Sequence, residues 1–160
     1  MMDTKMSDNK CKWKSRYLPE YECQEEPLYV EGLCILHAER EDKDIQKFID
    51  KVNERIDKGR LTPSGWKTDK IDLVGCYFPG GFGTYFIRRK FDKPVDFRQA
   101  KFSQAYFLES EFSQTAIFTG AKFSQEAHFD RATFSQADFS EARFSGKTSF
   151  QNAVFSVSGR

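Results

Sequence analysis

The stretch Ala121–Phe150, AKFSQEAHFDRATFSQADFSEARFSGKTSF, sets a phenylalanine at every fifth or sixth residue and fills the gaps with Ser, Gln and charge. An amphipathic helix repeats its apolar residues in steps of three and four, and a half-buried strand in steps of two. A step of five fits neither. Outward from this stretch the pattern runs through Phe97, Phe102, Phe107, Phe112, Phe118, Phe123, Phe129, Phe134, Phe139, Phe144, Phe150 and Phe155. Two residues before nearly every Phe sits a small side chain: Ala100, Ala105, Ser110, Ala116, Ala121, Ala127, Ala132, Ala137, Ala142 and Ala153, with Val95 and Thr148 as larger exceptions. Such a unit has one large and one small inward residue and three outward polar ones. Four units make a square coil, and each coil needs neighbours to cover its apolar face.

The six-residue steps test this reading. If coils exist, four units sum to a constant, and Phe97 to Phe118, Phe118 to Phe139, Phe129 to Phe150 and Phe134 to Phe155 are each 21 residues. The long gaps 91–97 and 112–118 lie 21 apart, as do 123–129 and 144–150. Each coil therefore carries one insertion, first at one corner and then at the opposite one.

From about Val95 to Phe155 the chain resembles the pentapeptide-repeat family, whose unit is a small residue, any residue, Leu or Phe, then two polar residues. The resemblance implies a mainly β fold, a right-handed quadrilateral β-helix with the aromatic inward, over residues 71–160. Ile71 to Phe91, with Leu73, Phe78, Phe86 and Phe91 and with Cys76 in a small slot, reads as an initial, distorted coil. The Gly80, Gly81 and Gly83 cluster reads as a turn and lacks the Lys-Ser/Thr ending of a phosphate-binding loop. Three coils at about 4.8 Å each give a tower of about 15 Å. The N-terminal segments are expected to cap one end. Beyond Phe155 only SVSGR follows, so the other end is expected to form a homodimer, meet a partner or be truncated.

Residues 1–37 hold three of the four cysteines and one of the two histidines. Cys34-Ile-Leu-His37 has a tight-turn spacing that lets two ligands reach one ion, and Cys11 and Cys23 come from separate loops. Three thiolates and one imidazole form a tetrahedral zinc set with no open position for catalysis. The segment also resembles the short Cys/His stretch preceding the repeats in some family members, which ends in a Cys-Ile-hydrophobic-His signature. Free or packed cysteines are the alternative, since the first two spacings are long and no CxxC is present. If zinc binds, it mainly folds a segment too small to fold alone. In residues 38–60, Ile45, Phe48, Ile49, Val52 and Ile56 recur at helical spacing and Gly59 is a stop, which predicts an amphipathic helix packed on its neighbours.

Charge is balanced overall at +1, so no global pull toward nucleic acid or membrane is implied. Locally, Lys101, Lys122 and Arg143 stack on one face. This column invites an anionic partner, or else it is a solvated face neutralised by acids such as Asp96 and Asp138. Lys10, Lys12, Lys14 and Arg16 interleave with Trp13 and Tyr17, which suits phosphates and stacking, though Glu20, Glu22, Glu25, Glu26 and Glu31 follow closely. Nucleic-acid binding is thus an alternative function. Some pentapeptide-repeat proteins mimic DNA and modulate a topoisomerase. That needs a strongly acidic surface, and from Phe91 onward eight acids meet eight bases.

Enzymatic activity is not expected. His37 is committed to metal, His128 points outward, and no nucleophile motif or cofactor fingerprint appears. MMDTKMSDNK lacks the apolar core of a signal peptide, and no apolar run is long enough to cross a bilayer. Four cysteines without a secretory signal suit a reducing compartment, so a cytoplasmic protein is the expectation. The chain reads as a non-enzymatic module that binds a macromolecular partner, most simply a protein.

Overall fold

The architecture comes from a computed structural model, which describes residues 9–156. The opening residues 1–8 and the closing residues 157–160, on which the leader and chain-end readings partly rest, lie outside the described residues.

From Ile71 to Phe155 the chain winds into a β-solenoid with four faces. One face stacks Tyr77–Phe78, Lys101–Phe102, Lys122–Phe123 and Arg143–Phe144 as parallel strands. The next stacks Ala105–Tyr106, Ala127–His128 and Thr148–Ser149. The remaining two are joined in one sheet by the long strands Glu111–Ile117 and Thr133–Asp138, which turn a corner. These ladders satisfy the backbone between coils, while the phenylalanines fill the middle. Phe97 stacks on Phe118 at 4.8 Å and Phe118 on Phe139 at 4.7 Å, with rings nearly parallel. Between columns the rings meet edge-on, as in Phe118 against Phe129, an arrangement that suits the ring quadrupoles.

The constant period of 21 holds only in part. Phe107 stacks on Phe129 and Phe112 on Phe134, pairs that are 22 residues apart. Both intervals span the switch of the insertion from one corner to the other, so they contain two six-residue steps. A register shift between Phe134 and Gln136 absorbs the difference as a β-bulge. In the first coil the interval grows again, because Phe78 stacks on Phe102, 24 residues on. The glycine cluster supplies the excess as a short 3-10 turn, Gly80–Phe82, that tucks Phe82 into the core.

Helix α1 (Ile45–Lys58) starts at Asp44, whose side chain accepts from the Lys47 amide, and stops at Gly59 with φ +78°. Its inward face differs from the expected stripe. Phe48 and Val52 are buried, whereas Ile45 is 36% exposed and Arg55, at 1%, takes a core position. Phe48 packs edge-on against Phe78 and Phe82, which seats the helix on the end of the tower. Residues 61–70, unassigned from the sequence, contribute to an antiparallel hairpin of β1 (Arg60–Thr62) and β2 (Gly65–Lys67). Among the described residues no helix is long and apolar enough to cross a membrane.

Candidate functional site

Cys11, Cys23, Cys34 and His37 come together as the sequence spacing implied. All four are buried, and their ligand atoms lie within 4.8 Å of one another. Cys11 Sγ and Cys34 Sγ are 3.4 and 3.3 Å from His37 Nδ1, and Cys23 Sγ is 3.9 Å from Cys34 Sγ. With metal–sulfur bonds of about 2.3 Å and a metal–nitrogen bond of about 2.0 Å, the edges of a tetrahedron are about 3.5–3.8 Å. These three separations lie near those edges and all four ligand atoms are within 4.8 Å of one another, close enough to hold a metal ion.

The surroundings orient the set. His37 Nε2–H donates to the Val74 carbonyl at 2.9 Å, which leaves the Nδ1 lone pair facing the thiols. Because Val74 belongs to the first coil, the same imidazole also ties the cap to the tower. The Cys34 amide donates to Cys11 Sγ, and Arg55 reaches Cys23 Sγ at 4.0 Å. Burial alone would lower the His37 pKa, but hydrogen bonds and charge from Cys11 and Cys34 outweigh it and push it up to about 9. The Cys11 thiol is held far below the ordinary thiol value by hydrogen bonds from Cys23 and Cys34, and the Cys23 thiol is pushed far up by its hydrogen bonds to Cys11 and Cys34 and by burial. Cys76 stays apart from the set. It is fully buried in its small slot, and burial pushes its thiol pKa up, as for an inert packed cysteine.

Beyond Cys11 the chain runs down one corner of the tower. Trp13 lies over Gly75, the Ser15 hydroxyl and the Arg16 amide both donate to Gln99 Oε1 at 2.7 Å, and Tyr17 lies over Gly120. The Tyr17 hydroxyl donates to Glu141 at 2.6 Å, one coil lower. Residues 75, 99, 120 and 141 occupy equivalent corner positions, two residues after an inward Leu or Phe, and all have φ between +55° and +68°. Glycine is required at 75 and 120, where a Cβ would fall 2.1 Å from the Trp13 ring and 2.6 Å from the Tyr17 ring. The alternation therefore turns Trp13, Ser15 and Tyr17 inward and leaves Lys12, Lys14 and Arg16 exposed. Trp13, which the sequence offered for base stacking, is instead stacked on His37 at 4.6 Å.

The two basic clusters meet at this corner. Lys101, Lys122 and Arg143 are register partners on successive coils. Arg16 joins them along a groove of about 520 Å³ that Tyr17 and Gln99 also line. Lys10, Lys12 and Lys14 are not part of that lining, and Lys12 lies against Gly32. The acids expected to neutralise the column do not do so. Asp96 is taken by Lys70 at 2.9 Å and Arg98 at 2.5 Å, and Asp138 by the Ser140 amide and hydroxyl. Lys101 pairs instead with Glu39. Among the described residues Arg16, Lys122 and Arg143 have no ion pair. His128 lies on the outer face as expected, stacked on Tyr106 and flanked by Glu126 and Asp130.

Sequence reading found the ligand set and the basic column but missed Gly75, Gln99, Gly120 and Glu141. Their signal was present, since all four sit two places after an inward residue. A family model described as pentapeptide repeats (9 copies) matches residues 86–133. The comparison with curated proteins and that with solved structures return no match. The four-faced coil and the family match together show pentapeptide repeats over residues 86–133.

Proposed function

We propose that the chain is a non-enzymatic binding module in which a zinc-stapled cap closes one end of a pentapeptide-repeat β-helix, whose side faces receive a macromolecular partner. The observation that carries the reading is the convergence of Cys11, Cys23, Cys34 and His37 within 4.8 Å. Three thiolates and one imidazole are a zinc donor set, and four protein ligands make a closed, structural site. Three thiolates around Zn²⁺ leave one net negative charge, and the Arg55 guanidinium 4.0 Å from Cys23 Sγ offsets it. A thiolate site of this kind suits a reducing compartment such as the cytoplasm.

Support for binding rather than catalysis comes from the interior, which the phenylalanine columns fill, and from outer faces that are flat and polar. The C-terminal coil offers a further contact surface, with Val154 and Phe155 53% and 49% exposed, which fits either a second copy of the chain or a protein partner.

Elemental analysis of the purified protein tests the central part. About one zinc per chain is expected, falling to near zero in Cys34→Ser. Less than about half an equivalent in the unsubstituted protein defeats the zinc assignment.

A further inference from the structure

We propose that the groove between the Trp13–Tyr17 segment and the Lys101–Lys122–Arg143 column binds the phosphate backbone of a nucleic acid, and that it is complete only while the Cys11/Cys23/Cys34/His37 set holds its metal. The second half rests on the zinc reading above.

Two elements bring cations to this corner, and Arg16 is the residue of the second that lines the groove itself. The first is the coil repeat, with Lys101, Lys122 and Arg143 about 4.8 Å apart from level to level. The second is an extended segment whose alternation leaves Lys12, Lys14 and Arg16 all exposed. The acids at hand leave a surplus. Glu39 takes Lys101, while Arg16, Lys122 and Arg143 have no ion pair among the described residues, so they outnumber by two the Glu141 carboxylate that lines the groove and accepts from Tyr17. An extended acidic peptide offers its carboxylates on one side only at every second residue, about 6.7 Å apart, a spacing that falls out of step with the column. The phosphates of a nucleic acid are held chiefly by release of their condensed counterions, and the backbone can slide, so binding needs no charge-by-charge register with the column. Trp13 is stacked on His37 and is not free for a base, so the cations' contacts to phosphate dominate. Binding is therefore independent of sequence.

The link to the metal is short and covalent. Cys11 is a ligand in the set, and Trp13, two residues later, rests on the ligand His37. Ser15, Arg16 and Tyr17 are then fixed to Gln99, Gly120 and Glu141. No regular strand pairing holds residues 11–17 to the tower. Losing the metal unfastens one end of the segment, and Arg16 no longer faces Lys122 across the groove.

The test is fluorescence anisotropy of a labelled dT oligonucleotide, and of a duplex of the same length, with the full metal-loaded chain at 50 mM salt. Binding is expected, with log K falling against log[salt] at a slope of about −3 for the single strand, as for about four phosphates neutralised. The duplex arm tells which source of the backbone fits the groove. Lys122→Glu/Arg143→Glu is expected to weaken binding at least tenfold. Removing the metal with a chelator is expected to weaken it at least fivefold. Gln99→Ala, which frees Ser15 and Arg16 without changing any charge, is expected to weaken it severalfold with the metal still bound. No binding of either oligonucleotide at 50 mM salt, or binding unmoved by the charge reversal, overturns the groove assignment whatever the zinc content. Binding that survives chelation and Gln99→Ala unchanged overturns the metal dependence. A protein that contains no zinc yet binds and responds to the charge reversal also overturns the metal dependence, together with the zinc reading, and leaves the groove standing.

Discussion

The indole of Trp13 lies flat on the imidazole of His37, ring centroids 4.6 Å apart and planes 6° from parallel. The indole also rests on Gly75, so one aromatic ring joins the ligand set to the first coil. Gly75 has φ +67°, and a Cβ there would stand 2.1 Å from Trp13 Cζ2. Gly75→Ala is expected to lose more than about 2 kcal/mol, through about 1–2 kcal/mol of left-handed backbone strain plus displacement of the indole. Gly75→Ala made in a Trp13→Ala background is the control, because the left-handed strain stays while the contact with the indole is gone. Urea unfolding of each variant against its own background separates clash from strain. Equal losses would show that Trp13 does not press on the corner.

Burial along the tower falls from the middle to the last coil, and stability losses should follow it. Phe118 is fully buried between Phe97 and Phe139, while Phe155 is 49% exposed. Phe118→Ala is expected to cost about 3–5 kcal/mol and Phe155→Ala less than about 1.5 kcal/mol. Chemical denaturation decides it, and similar losses at both positions would contradict the stacked columns.

Asp96 gives the tower a response to acid. Burial would raise its pKa, but hydrogen bonds and charge from Arg98 and Lys70 outweigh burial and hold it below the ordinary 3.8. A depressed carboxyl contributes stability that is present above its unfolded pKa and is lost as pH falls through the folded one. The contribution should therefore be complete at pH 6, begin to fade as pH nears the unfolded value of about 4, and be lost only as pH falls through the folded value below 3.8. Asp96→Asn is expected to destabilise the protein at pH 7 and to flatten the fall between pH 5 and pH 3, measured as urea midpoints across that range. An unchanged acid slope in the variant would contradict the assignment.

Arg55 occupies the junction of helix, cap and tower. It reaches Glu25 at 3.2 Å and the Asp72 carbonyl at 3.2 Å, and it is 1% exposed. Arg55→Met takes one of two cations from each of the Glu25 and Asp72 carboxylates, which keep Lys51 and Arg60, and leaves the Asp72 carbonyl unpaired, so it is expected to cost about 1–3 kcal/mol. Arg55→Lys should recover little, because a single ammonium cannot replace the fork that spans both partners. Thermal unfolding of the two variants checks this, and a neutral Arg55→Met would contradict it.

The solenoid was legible in the sequence because its inward positions are chemically uniform. Phe and Ala recur at fixed places, and each coil repeats the same test. The metal set was legible for the same kind of reason, since Cys and His are few and Cys34 and His37 have a telling spacing. What stayed hidden depends on tertiary choice. Nothing local marks Arg55, within an amphipathic stripe, as more buried than Ile45, because Glu25 and Asp72 lie far away in sequence. The 22-residue interval between Phe107 and Phe129 was present in the numbering, but the four intervals that sum to 21 do not cross both insertions. The path of residues 13–17 along the corner followed from Gly75 and Gly120, whose missing side chains acquire meaning only once Trp13 and Tyr17 lie over them.

The most direct measurement is zinc-edge X-ray absorption on the purified full chain. A first shell of three sulfurs at about 2.3 Å and one nitrogen at about 2.0–2.1 Å is expected. Absence of zinc, or a shell of nitrogen and oxygen alone, would contradict a cap held by Cys11, Cys23, Cys34 and His37.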